Sequence, residues 1–150
     1  MIHNSGSDIH KNIDKIFIIK SKDVHYPFQH VLQKRPLVYD ESIALIIKPV
    51  PDDVRYPGNS KITDSGQLTT YKVLISITDQ NCENERELMN FLNQKVILDI
   101  RYLNAGRSII GCNENPLQFI YEDDNASNAS QSHGYNVECS GNTYFTKVNL

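Results

Sequence analysis

The sequence predicts a mainly β domain, an antiparallel β-sandwich or partly closed barrel with one short α-helix between strands. Three observations lead there. Short runs rich in Ile, Val, Phe and Tyr recur along the chain; Pro, Gly, Asn and Asp punctuate them; and a single stretch near residues 83–93 spaces its apolar residues as a helix does. At 150 residues the chain fits one domain, since domains commonly run to about 100–150 residues. A hydrophobic content of 39% is enough for a buried core. Residues 1–14 are polar and predict a flexible N-terminal arm, leaving residues 15–150 as the β domain.

Each element follows from local pattern. KIFIIK, residues 15–20, is a strand apolar enough to be buried on both faces. Residues 21–41 read as irregular, with Pro27 and Pro36 denying donors to any central strand. SIALIIKPV, residues 42–50, is a second strand, closed by Pro49 and Pro51. Residues 51–68 mix Pro, Gly, Asp, Asn and Ser throughout and predict a long exposed loop, a contact element. TTYKVLISIT, residues 69–78, alternates, with Tyr71, Val73, Ile75 and Ile77 on the core face.

The helix spans about residues 83–93. Asn81 or Asn84 caps it, Glu83, Glu85 and Glu87 sit near its positive end, and Leu88, Phe91 and Leu92 share a face. Residues 96–103 and 107–112 form a hairpin through Asn104, Ala105 and Gly106, with Gly106 as the left-handed residue. LQFIY, residues 117–121, is a strand that opens into a polar loop at residues 122–133, and residues 135–150 supply the closing strand.

No motif for catalysis, a cofactor or a metal stands out. His25 and His30 flank Pro27 and lack the i, i+4 spacing of helical metal ligands. The acidic run Glu122, Asp123, Asp124 does not fit a calcium loop, GxSxG is absent, and Gly106 and Gly111 precede strand with no Lys-Ser/Thr pair, unlike a phosphate loop. Two Asn-x-Ser sequences at Asn125 and Asn128 read as chance matches, since no secretion signal accompanies them. Cys82, Cys112 and Cys139 are odd in number without a C-x-x-C pair, so they read as reduced, buried thiols; Cys112 and Cys139 each end a predicted strand, which leaves open whether they are adjacent.

Charge and hydropathy narrow the partners. A formal net charge of −3 without a basic stripe argues against specific nucleic-acid binding. It suits protein partners, or a surface past which DNA slides without sticking. No apolar run approaches the roughly 20 residues of a membrane helix, so no membrane partner is expected.

The segment from Leu103 to Pro116, with Gly106, Ile109, Ile110, Gly111, Glu114 and Pro116, followed by a strand, a polar loop and a closing strand opening on Gly134 and Tyr135, resembles a family of small β proteins. These are virion structural proteins of tailed phages and prophages of Bacteroides-type bacteria. The likeness extends loosely over residues 35–141, while the helix and the 51–68 segment exceed the shortest members.

The resemblance implies a non-enzymatic tail, neck or connector subunit. It would be made in the host bacterial cytoplasm, form a homo-oligomeric ring with other virion proteins, and let DNA pass through the assembly. The residues expected to carry assembly are Pro51, Asp52, Asp53, Arg55, Tyr56 and Asp64 in one loop and Glu122, Asp123 and Asp124 in another, with the N-terminal arm; Gly106 and Gly111 serve the fold. The alternative is a β-sandwich binding module for a carbohydrate or protein, which would need Tyr26, Phe28, Tyr56 and Tyr71 in an exposed patch.

Overall fold

The strand spanning Lys95–Tyr102, β6, is bordered on one edge by β1 (Ile13–Lys20) and on the other by two strands in turn. Its later part, Leu98 to Arg101, pairs with β7 (Arg107–Ile110); its first residues, Lys95 and Val96, pair with β8 (Leu117–Asp124). The sheet forks there. This computed structural model describes residues 13–49, 54–55, 58–64, 66–78, 80–124, 134–143 and 147–150.

From β1 the sheet continues to β2 (Leu45–Ile47), and from β8 to β9 (Gly134–Thr143) and β5 (Gly66–Ile77), all antiparallel. The outer edge of β5 carries β3 (Val54–Arg55) and β4 (Gly58–Thr63), and β10 (Val148–Asn149) lies beside β7. The order β2-β1-β6-β8-β9-β5 curls around one apolar interior. It does not close, because β2 and β5 are not paired. The result is the mainly β, partly closed architecture that the strand pattern predicts.

Alternation on β1 and β6 builds two cores back to back. Ile16, Ile18, Leu98 and Ile100 enter the barrel interior, where they meet Val73, Ile75, Leu117, Phe119, Val137 and Cys139. Phe17, Ile19 and Ile97 face the other way and meet Ile109, Cys112, Val148, Tyr26 and Leu37. A strand apolar at every position therefore has a partner on both sides, as KIFIIK requires. The helix α2 (Cys82–Phe91) packs Leu88 and Phe91 into the interior, capped by Asn81, whose Oδ1 accepts from the Asn84 backbone N–H at 2.8 Å.

The second core is covered by the connection from β1 to β2. The reading of this stretch as irregular misses a five-residue helix, α1 (Phe28–Leu32), which starts directly after Pro27. The Asn113 side chain donates to the Ser21 and Val24 carbonyls at 2.8 and 3.1 Å, and Glu114 accepts from the Phe28 N–H at 2.8 Å. The Tyr26 hydroxyl donates to the Arg35 carbonyl at 2.8 Å.

Beside this core lies a buried carboxylate. Asp99, 0% exposed, accepts from Arg107 at 2.8 Å and from the Tyr39 hydroxyl at 2.6 Å. Arg107 also donates to the Leu37 carbonyl at 3.0 Å, and Arg101 reaches Glu41 at 3.0 Å while its guanidinium lies 4.1 Å from the Phe17 ring centroid. Every oxygen and cation that β6 and β7 bury here finds a partner on the covering segment or on the neighbouring strand, which is what lets a charge sit in the interior.

Several element bounds differ from the sequence reading. The second strand covers only Leu45–Ile47, because Asp40 caps a 3-10 turn at Glu41–Ile43. β1 begins at Ile13, two residues before the expected start of the β domain; the expected arm, residues 1–12, lies outside the described residues. In the β6–β7 hairpin the left-handed residue is Ala105, at φ 68°, and not Gly106. β6 ends at Tyr102, one residue early, so the turn closed by the Ala105 N–H on the Tyr102 carbonyl shifts by one position. Gly111 does adopt a positive φ of 98°. Cys112 and Cys139 fall in different cores, Cys139 lies within β9 rather than at its end, and Cys82 is exposed at the start of α2 rather than buried.

Two outcomes follow. Asp99→Ala leaves Arg107 and Tyr39 without their shared acceptor and lowers unfolding free energy by about 3 kcal/mol, the low end for a broken buried pair because the guanidinium is partly solvated; urea denaturation measures it. Burial and then the hydrogen bond to Asp99 push the Tyr39 phenol far above its ordinary pKa, and burial pushes Tyr26 up to about 12. The unfolded chain ionises these phenols near pH 10 while the folded chain keeps them protonated, so stability is full below pH 10 and falls as pH rises above it. Denaturation curves at pH 8, 10 and 11 show that decline, and Tyr39→Phe makes it shallower.

Candidate assembly surface

The stretch read as a long loop over residues 51–68 is in large part a β-hairpin. β4 pairs with the start of β5 from Gly58↔Tyr71 to Thr63↔Gly66, and β3 pairs with β5 at Val54↔Ile75 and Arg55↔Leu74. Its turn-forming composition misled the reading because β4 is exposed on both faces and so carries no alternation. Gly58 has a specific reason to be in the strand: a Cβ there would lie 2.8 Å from the Tyr71 ring. Tyr71 crosses it into the core, and its hydroxyl accepts from the Lys147 N–H at 2.8 Å.

The hairpin projects. β9 runs beside β5 only from Thr69 to Ile77, so Lys61, Ile62 and Thr63 with their partners Leu68, Gln67 and Gly66 stand beyond the body of the sheet. Thr63 closes the tip by donating to the Gly66 carbonyl at 2.7 Å, and Gly66 takes the positive φ of 121° that the turn needs. Ile62, on the stem just below, is 90% exposed.

At the far end of β5 the unclosed wall leaves a groove. Its walls are β2 and the last residues of β5, with α2 across one end, enclosing about 190 Å³. Leu45, Ile47 and Leu88 back it with core side chains, Ile46 is its exposed apolar residue, and Lys48, Ser76, Thr78, Asn84 and Glu87 make the rest of its lining polar. On the outward face of β5, β9 and β8, Lys72 pairs with Glu138 at 3.3 Å and Thr70 donates to Asn142 at 2.7 Å, while Leu74 and the exposed Ile120 flank Glu138.

The residues expected to carry assembly distribute over these features unevenly. Asp64 lies exposed at the hairpin tip, and Arg55 lies in β3. Glu122, Asp123 and Asp124 belong to β8 rather than to a loop, paired with Asn136, Tyr135 and Gly134; Glu122 and Asp123 are exposed. Gly134 is required by the end of β5 on the other side, where a Cβ would overlap the Ile77 carbonyl oxygen. Pro51, Asp52, Asp53 and Tyr56, and residues 125–133, lie outside the described residues. The groove was missed, because its walls are edge strands distant in sequence. Lys61 and Ile62 were missed because nothing in SKIT distinguishes a strand tip from a loop.

The residues considered for other chemistry are also placed. His25 and His30 meet edge to face with ring centroids 5.5 Å apart. Among the described residues, no three His, Cys, Asp or Glu side chains gather to hold a metal ion, and no helix is long and apolar enough to cross a membrane. Tyr26 and Tyr71 are core residues while Phe28 is exposed, so these three do not make one surface patch. Comparison with protein-family models, curated proteins and solved structures finds no match.

The separation of contact residue from fold residue is measurable. Ile62→Asp changes unfolding free energy by less than about 0.5 kcal/mol because the side chain touches solvent. Tyr71→Ala, on the same hairpin, costs about 3–5 kcal/mol. Urea denaturation of the two variants checks both values.

Proposed function

We infer that this chain is a non-enzymatic structural subunit of a phage virion, a tail, neck or connector component that forms a ring with copies of itself and meets other virion proteins. The observation that carries this reading is an unclosed barrel in which the outer edges of β2 and β4 have no strand partner among the described residues, together with a projecting hairpin. Edge strands of this kind invite pairing or docking by a neighbour. The resemblance of the 103–116 segment and of Gly134-Tyr135 to phage virion proteins supports the same assignment. The net charge of −3 suits a wall past which DNA moves without binding. The protein would be made in the bacterial cytoplasm and reside in the virion.

Light scattering on the purified chain should return a multiple of the chain mass, and mass spectrometry should find the chain in purified particles. A strict monomer absent from particles would sink the assignment.

A further inference from the structure

The start of α1 brings two imidazoles together. Pro27 stands at its N-cap with extended backbone, φ −71° and ψ 162°, so His25 lies on the chain leading into the helix while His30 lies within it. Their ring centroids are 5.5 Å apart. The backbone beside both is pinned. Asn113 donates to the Val24 carbonyl at 3.1 Å and accepts from the Tyr26 N–H, and Glu114 accepts from the Phe28 N–H at 2.8 Å. The His30 N–H reaches the Pro27 carbonyl at 2.9 Å, and the buried Tyr26 ring packs edge to face on the His30 ring, centroids 5.9 Å apart. His25 is exposed and His30 half-buried. Among the described residues, neither ring takes part in a hydrogen bond or ion pair, and no side-chain nitrogen is both buried and unpartnered. The nitrogens of both rings are therefore open to a ligand from solvent.

We propose that His25 and His30 form a two-histidine site for a divalent transition-metal ion such as Zn²⁺, with water completing the coordination. Imidazole nitrogen is a ligand these ions favour. An ion about 2.1 Å from one nitrogen of each ring sits about 3.2 Å from each ring centre, and centres 5.5 Å apart then subtend roughly 120° at the ion, near the angle of a tetrahedral site. The rings meet edge to face, and a turn of the exposed His25 about its side-chain bonds aims its nitrogen at that point. Pinned backbone on both sides lowers the cost of holding the pair together. The spacing lacks the helical i, i+4 pattern because one ligand precedes the helix and the other belongs to it. A bound ion would clip the lead-in segment to α1, in a covering layer with few regular elements. The site is independent of the ring reading.

Calorimetric titration of ZnCl2 into the full chain, free of any affinity tag, tests it, with thermal melting followed alongside. Wild type is expected to bind an ion at this pair and to melt higher with Zn²⁺, since the ion binds the folded chain. His25→Ala and His30→Gln are each expected to weaken that binding at least tenfold and to abolish the rise in melting temperature. Without metal, His25→Ala melts as wild type does, because the side chain is exposed. An ion held equally well by both variants is bound elsewhere on the chain, at Cys82 or another histidine, and overturns the site. A loss in one variant alone leaves a single ligand and overturns the chelate. A wild-type chain that neither binds Zn²⁺ nor shifts its melting at millimolar ZnCl2 overturns the proposal outright.

Discussion

The structure depends on how β6 shares its edges. One edge is filled along its length by β1, while the other is divided between β7 and β8. A flat sheet cannot continue from both β7 and β8, so the two branches part. The branch through β8, β9 and β5 curls over the interior face of β6, and the branch through β7 and β10 extends its other side. Because side chains alternate along a strand, β6 must then be apolar on both faces, and Val96, Ile97, Leu98 and Ile100 all are fully buried.

Asp99 is the exception on that strand, and its position explains the rest of the second layer. A carboxylate placed there is tolerated only with charged and hydroxyl partners close by. Arg107 comes from the adjacent strand, whereas Tyr39 comes from the connection between β1 and β2. Asn113 and Glu114, just after β7, bind the first half of the same connection through its backbone. The covering layer has few regular elements, and these side-chain contacts to backbone groups stand in for a hydrogen-bonded ladder. Glu114, one of the residues in the resemblance to virion proteins, thus has a structural role at the start of α1.

The unclosed wall between β2 and β5 and the overhang of the β4–β5 hairpin arise from the same strand-length mismatch. β5 is 12 residues long, β9 beside it covers nine of them, and β2 at the far side has only three. The surplus length of β5 projects at one end as the hairpin stem and at the other borders the groove. Both features present polar backbone or apolar side chain to the outside, which is the material of contacts between subunits.

Much of this was legible in the sequence. An unbroken apolar run marked the double-faced burial of KIFIIK, periodicity marked the core face of Tyr71, Val73 and Ile75 and the helix with Leu88 and Phe91 inward, and turn residues marked the β6–β7 hairpin, because each is a local feature of the chain. Tertiary structure decided what local pattern does not encode. GNSKIT is a strand only because β5 pairs with it, EDD extends β8 only because residues 134–136 lie opposite, and Asp99 is buried only because Arg107 and Tyr39 converge on it from 8 and 60 residues away. The groove was the least legible of all: its walls come from residues about 30 apart in sequence that never pair, and a gap leaves no periodicity to read.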